Sequence, residues 1–150
     1  MAKEIERRFL IGNGPVPFDG KRPIQIKQGY ILLAKNKQLR IRIVNDKKAC
    51  ICLKYTSKLV RDEYEYDIPL TDGVEIFDKC DLTITKTRYT MKKPKYTIDI
   101  DIYVTGLVVI EVEFKNEKEA NEFTPLNWMG EEITGNKLYS NITLAKNSGK

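Results

Sequence analysis

Apolar and polar residues alternate along most of this chain with a period of two, the spacing of half-buried β-strands rather than helices. Runs rich in Ile, Val, Tyr and Thr, broken by turn residues, predict strands over 3–11, 23–34, 38–45, 48–56, 60–69, 82–92, 95–104 and 107–115. The turns between them fall at Gly12–Gly20, near Lys35–Lys37, at Asn45–Lys47, at Ser57–Lys58 and at Lys93-Pro94. Two stretches read as helices instead. Residues 71–80 follow Pro69, with Thr71 or Asp72 placed to cap them and Val74, Ile76 and Phe77 behind. Residues 116–123 (NEKEANEF) offer Asn116 as a cap and stop before Pro125. A short turn or helix over 136–145 is expected to close the domain, with Asn147–Lys150 frayed. Eight strands with mostly hairpin-length connections imply an antiparallel sheet. No long helix is available to cover a face, so closure into a barrel is the way to remove its edges. The expected class is α+β, mostly β: an eight-stranded antiparallel barrel with a few short helices outside.

The polar half of the alternation is unusual. Like charges recur at i and i+2: Glu4 and Glu6, Arg40 and Arg42, Glu63 and Glu65, Lys86 and Arg88, Asp99 and Asp101, Glu111 and Glu113. On a single strand such a pair reads as solvated surface. Across six strands, acid pairs and base pairs segregated on different strands point to two poles of one cavity, with the charged faces inside the barrel. Crowding like charges in a low dielectric is costly. It becomes tolerable when a polyanion lies against the bases and divalent cations lie against the acids.

Composition narrows the chemistry. At 150 residues the chain is read as one domain, 1–150, with 31% charged and 41% hydrophobic residues, as in folded cytosolic proteins. A net charge of +5 and a pI near 9.0 favour an anionic partner. The 21 acids set against 26 bases argue against a nucleic-acid-binding arm. The N-terminus runs straight into charge and no apolar run approaches the roughly 20 residues of a membrane span, so a cytoplasmic protein without a signal peptide or membrane partner is expected. Cys50, Cys52 and Cys80 lie on apolar patterns and are read as reduced structural thiols; C-x-C at 50–52 lacks a second pair to complete a zinc site. There is no histidine, which removes histidine-based triads, histidine zinc sites and an imidazole base. Clustered carboxylates are hard ligands suited to Mg²⁺ or Mn²⁺, and clustered Arg and Lys suit phosphate. Together they suggest phosphoryl transfer.

At this point the residues match a family. EIERRF (4–9) resembles the E-x-E-x-K signature opening the CYTH domains of the triphosphate tunnel metalloenzymes. IKQGYI (26–31), LRIRI (39–43), CLK (52–54), RDEYEYDI (61–68), ITKTRY (84–89), IDIDIY (98–103), GLVVIEVEF (106–114) and WMGEEITGNKLYSN (128–141) follow in the family's order. The resemblance implies an eight-stranded antiparallel β tunnel. It also implies hydrolysis of inorganic triphosphate, thiamine triphosphate or nucleoside triphosphates, or in some members adenylate cyclisation. By resemblance, Glu4, Glu6, Glu111 and Glu113 are metal ligands, with Asp101 rather than Asp99 a further one. Arg40, Arg42, Lys54, Lys86 and Arg88 form the triphosphate cradle, which Lys27 joins, and Glu63 and Glu65 are supporting acids or cross-strand partners of the arginines. Arg8 stands where the signature has lysine, which in some members pairs with the tyrosine matching Tyr30 to activate water. Arginine holds its proton, so Arg8 can bind phosphate but cannot relay a proton. Water activation then falls to the metal and a carboxylate, and Tyr30 is either catalytic or a tunnel-wall aromatic. Leu138 replaces a base in the closing segment. The expected function is Mg²⁺- or Mn²⁺-dependent hydrolysis of a compact triphosphate, most simply inorganic triphosphate, by a monomer or homodimer. The alternatives are an adenylate cyclase, a thiamine triphosphatase, or a catalytically weak polyphosphate- or nucleotide-binding protein.

Overall fold

Strand β1 (Ala2–Ile11) is the seam of the molecule. In the computed structural model, which describes residues 2–18, 22–55 and 60–148, its first residues pair with β5 (Val60–Ile68) and its middle with β8 (Val108–Phe114). Its last residues pair with a short strand, β9 (Met129–Glu132). The remaining strands are β2 (Ile24–Ala34), β3 (Lys37–Val44), β4 (Lys48–Tyr55), β6 (Thr83–Lys92) and β7 (Tyr96–Tyr103). All neighbours are antiparallel, in the order β5-β4-β3-β2-β6-β7-β8-β1, and the β1–β5 pairing closes them into an eight-strand ring, with β9 added beside β1. The eight predicted strands are therefore all present, each within about two residues of its expected bounds. The β3–β4 turn is confirmed by Asn45 and Asp46, both with positive φ, which these residue types tolerate. The expected Ser57–Lys58 turn and the end of the Gly12–Gly20 turn lie outside the described residues.

Both faces of the closed sheet are covered. The apolar outer face packs against helices. Helix α1 (Leu70–Asp78) sets Leu70, Ile76 and Phe77 against Ile41, Ile43 and Ala49. It begins one residue earlier than predicted, so Thr71 and Asp72 lie within its first turn, and no side chain caps it. Helix α2 (Glu117–Glu122) is capped as expected, the Asn116 side chain accepting from Glu119 N at 2.8 Å. Around it, Phe123, Trp128 and Met129 cover Phe9, Ile98, Ile100, Ile110 and Val112. Helix α3 (Asn141–Ser148), preceded by a 3₁₀ turn at Lys137–Tyr139, includes Asn147, expected to fray. It packs Ile142, Leu144 and Ala145 against Tyr30, Ile84, Tyr103 and Val109, an apolar stopper built on the same strands as the charged lumen.

Gly73 shows how closely α1 is seated. A Cβ added there would lie 2.3 Å from Ala49 Cβ, an atom fixed to the β4 backbone. Helix propensity alone would make Gly73→Ala stabilising by about 1 kcal/mol. Overpacking should win: Gly73→Ala is expected to destabilise by about 1–3 kcal/mol, read from urea unfolding midpoints.

Candidate active site

The inward positions of the ring are set by strand pairing. Glu6 lies opposite Glu113, Arg8 opposite Glu111, Arg40 opposite Cys52, Lys54 opposite Glu63, Arg88 opposite Asp101, and Asp99 opposite Glu111. Within the ring is a cavity of about 540 Å³. Among the described residues nine Lys or Arg line it, including Arg8, Arg40, Arg42, Lys54, Lys86 and Arg88, against five acids, Glu4, Glu6, Asp99, Glu111 and Glu113. The formal excess of four positive charges suits a compact polyanion. Lys35 of the β2–β3 hairpin, and Lys137 and Asn141 from the C-terminal segment, also reach its wall.

Ion pairs order the two poles. Lys54 Nζ lies 2.6 Å from Glu4 and 3.5 Å from Glu63, and Arg61 donates to Glu6 at 2.8 Å. Asp101 is fully buried and accepts from Lys86 Nζ at 2.7 Å and from Arg88 Nε and Nη2 at 2.7 and 2.8 Å. Arg88 also lies 3.4 Å from both Asp99 and Glu111. The satisfaction is incomplete. Arg8 Nη2, Arg40 Nε and Arg40 Nη2 are buried without a hydrogen-bond partner, in side chains that line the cavity. Buried donors of this kind are costly, and their presence calls for an explanation.

The carboxylates respond strongly to this setting. Glu6 is pushed up to about 8, first by burial and then by neighbouring Glu111, with Lys54 and Arg61 pulling the other way. Burial opposes ionisation of Glu111 too, yet Lys86, Arg88 and Arg8 hold it well below its ordinary value. Glu4 and Asp99 are raised, chiefly by burial, and Glu113 is raised by burial and by the facing acids Glu4, Asp99 and Glu111. The raised proton affinity of Glu4, Glu6, Asp99 and Glu113 is what a bound hard cation would offset, and with Glu111 they offer the oxygen donors such a cation takes. Among the described residues no three of these five acids bring ligand atoms within 4.8 Å of one another, so they would have to converge on the ion.

Several expected residues stand elsewhere. Lys27 pairs with Ile43 on the outer face and forms an ion pair with Asp46 at 3.0 Å, away from the cavity. Asp101, expected as a metal ligand, spends both oxygens on Lys86 and Arg88 and does not line the cavity; Asp99 does. Tyr30 is buried in the apolar stopper, its hydroxyl 3.4 Å from Gln28 Nε2 and its phenol near Arg40, and it is no partner of Arg8. Arg8 donates instead to the Tyr139 carbonyl at 2.7 Å and sits among Glu111, Tyr103, Glu6 and Asp101. Glu63 lies 3.8 Å from Arg40, and Glu65, exposed on β5, lies 3.7 Å from Arg42. Arg61 had no place in the expected site, and Asp99, expected on the charged face, was ranked behind Asp101 as a ligand. Arg61 shares the alternation of Glu63 and Glu65, so the signal for it was present. Leu138 is exposed, off the cavity wall.

Residues 2–141 match the CYTH domain, and the chain belongs to that family. It is 35% identical to the inorganic triphosphatase of Acetivibrio thermocellus, the match covering 100% of this chain and 97% of the relative. It is 34% identical to the inorganic triphosphatase of Nitrosomonas europaea over 95% and 96% of the two chains. The crystal structure of the inorganic triphosphatase NE1496 superposes with a TM-score of 0.69 at 31% identity, covering 100% of this chain and 99% of that one. A putative adenylate cyclase from Bacillus halodurans shares the fold, with a TM-score of 0.54 and 17% identity over 81% of this chain and 86% of that one. CYTH triphosphatases are metal-dependent. Among the described residues no helix is long and apolar enough to cross a membrane.

The Glu6 shift has a definite sign. Between its ordinary value of 4.5 and about 8, the unfolded chain ionises Glu6 while the folded, metal-free protein keeps it protonated. The folded state then binds more protons than the unfolded state, and stability falls as pH rises through that window. Urea unfolding of metal-free protein from pH 5 to 8 should show this decline, and Glu6→Gln should flatten it.

Proposed function

We propose that this chain hydrolyses inorganic triphosphate in the tunnel with the help of Mg²⁺ or Mn²⁺. The observation that carries the reading is the set of buried guanidinium donors on Arg8 and Arg40 without acceptors, beside a cavity with excess positive charge and a carboxylate wall. Triphosphate oxygens supply those acceptors. The kinship to two inorganic triphosphatases over nearly the whole of each chain supports the choice of substrate.

Arg8, Arg40, Arg42, Lys54, Lys86 and Arg88 bind the non-bridging oxygens, the arginines through paired donors. Asp101 acts as a positioning residue, locking Lys86 and Arg88 so that little ordering entropy remains to be lost on binding. Glu4, Glu6, Asp99, Glu111 and Glu113 would hold the cation. When bound, such a cation neutralises phosphate charge and acidifies water at neutral pH. Glu111, held ionised by Lys86, Arg88 and Arg8, is a weak base and serves as the permanently charged partner of the cation, while the proton of the attacking water passes to a neighbouring carboxylate of the wall whose proton affinity is raised. Water adds to a terminal phosphorus, the phosphoanhydride P–O bond breaks, and pyrophosphate leaves with the bonding electron pair while orthophosphate forms. Arg8 meets phosphate and moves no proton, and Tyr30 supports Arg40 from behind.

Phosphate release from inorganic triphosphate should require Mg²⁺ or Mn²⁺ and stop with excess chelator. Glu111→Gln is expected to lower kcat by about a hundredfold or more. Activity that survives the chelator would overturn the reading. Binding measurements separate the two roles of the aspartates and the two faces of the sheet. Arg40→Ala should weaken triphosphate binding about 10- to 100-fold through the loss of charge-assisted hydrogen bonds, whereas Lys27→Ala should leave it within about twofold. Asp101→Asn should raise KM for triphosphate without moving the Mg²⁺ activation constant, while Asp99→Asn should move that constant. Arg8→Lys should retain activity with an unchanged pH–rate profile; an alkaline gain abolished by Tyr30→Phe would instead reveal a proton-relay pair.

A further inference from the structure

Cys50 and Cys52 point to the same side of β4, and the strand pairing brings two acids of β5 beside them. Cys52 lies directly opposite Glu65, and Lys54 opposite Glu63. The sulfur atoms of Cys50 and Cys52 are 3.6 Å apart, and Cys52 Sγ is 3.7 Å from Glu65 Oε1. One ligand atom each from Cys52, Glu63 and Glu65 lies within 4.8 Å of the others. Glu63 is nine-tenths buried, and its Oε2 accepts no hydrogen bond but faces Lys54 Nζ at 3.5 Å and Arg40 Nη2 at 3.8 Å.

These spacings have a specific meaning. Metal–sulfur bonds of about 2.3 Å and metal–oxygen bonds of 2.0–2.2 Å around a tetrahedral Zn²⁺ put sulfur about 3.8 Å from sulfur and about 3.6 Å from oxygen. Two of these edges, Cys50–Cys52 and Cys52–Glu65, already stand near those lengths. We propose that Cys50, Cys52 and Glu65, with Glu63 behind them, form a second metal site, selective for a thiophilic divalent cation of the Zn²⁺ or Cd²⁺ class.

The site is chemically distinct from the carboxylate wall. Thiolates select soft or borderline cations, and Mg²⁺ avoids them. Both thiols must lose their protons to solvent on binding, and the two thiolates then balance the charge of the cation. Cys50 is only half buried and Glu65 is exposed, which gives a path from solvent. The site also touches the cradle: Arg42 lies 3.7 Å from Glu65 and Arg40 3.8 Å from Glu63. A cation bound here competes with those arginines for their carboxylates, so the site links a soft metal to the phosphate-binding side chains. The sequence reading lacked a second pair of ligands for C-x-C; the neighbouring strand supplies them as acids. The inference does not depend on the triphosphatase reading.

The test is titration of the reduced full chain with Cd²⁺ in excess Mg²⁺, followed by the ultraviolet thiolate-to-metal charge-transfer band. Wild type should saturate at one Cd²⁺ per chain, and Cys80→Ser should keep the band. Cys50→Ser with Cys52→Ser should lose it, while unfolding in urea without Cd²⁺ confirms that the variant is folded. Glu65→Gln, which leaves both sulfurs in place, should require more Cd²⁺ to reach the same band. Alkylation of Cys50, mapped by mass spectrometry, should be slowed by Cd²⁺ in wild type. A band that persists without Cys50 and Cys52, no band in wild type, or Cd²⁺ binding unaltered by Glu65→Gln would each overturn the proposal.

Discussion

Opposite charges enclosed in one small lumen are the constraint on which the rest of this structure depends. A ring of strands with bare arginines inside would repel itself, and so would one with bare carboxylates. Asp101 shows the solution at its tightest: a fully buried anion held by Lys86 and Arg88, themselves nearly enclosed. Such pairs contribute little net stability against their desolvation, but removal of one member strands the other. The lumen is therefore balanced against itself. The outer apolar face, covered by α1 and α2, carries the burden of holding the barrel closed.

That balance is deliberately incomplete on two sides. Glu6 and Glu111 crowd together, so that one is displaced toward the neutral form while the other stays ionised under three cations. Arg8 and Arg40 keep donors without acceptors. A cation beside the acids and a polyanion beside the arginines would offset both deficits at once. Two such ligands would each favour the binding of the other, a coupling set by the charge distribution of the lumen.

The period-two alternation made the strands and the charged faces legible before any coordinates, because a closed sheet leaves its signature residue by residue. Parity within a strand can be read; depth along the lumen and parity between strands cannot. Asp99 and Asp101 share a face, and only the register with β6 reveals that Asp101 lies under Lys86 and Arg88 while Asp99 reaches the cavity. Lys27 sits in a motif with Gln28 and Tyr30, but its pairing with Ile43 turns it outward. Strand β9 was invisible for another reason. Four residues, MGEE, carry no periodic signal, and the strand exists because Gly130 allows its backbone to lie where a Cβ would sit 2.7 Å from the Ile11 carbonyl oxygen.

The position of β1 at the seam has a consequence for how the protein is made. Strand β1 finds its partners only after β5 and β8 have been synthesised, and Arg8 N reaches Thr134 across 126 residues of sequence. Pairing so distant in sequence forms late and slowly. Because β1 carries Glu4, Glu6 and Arg8, closing the ring and assembling the site are one event. A chain whose ring has not closed lacks Glu4, Glu6 and Arg8 from the cavity wall, however completely its other strands have paired.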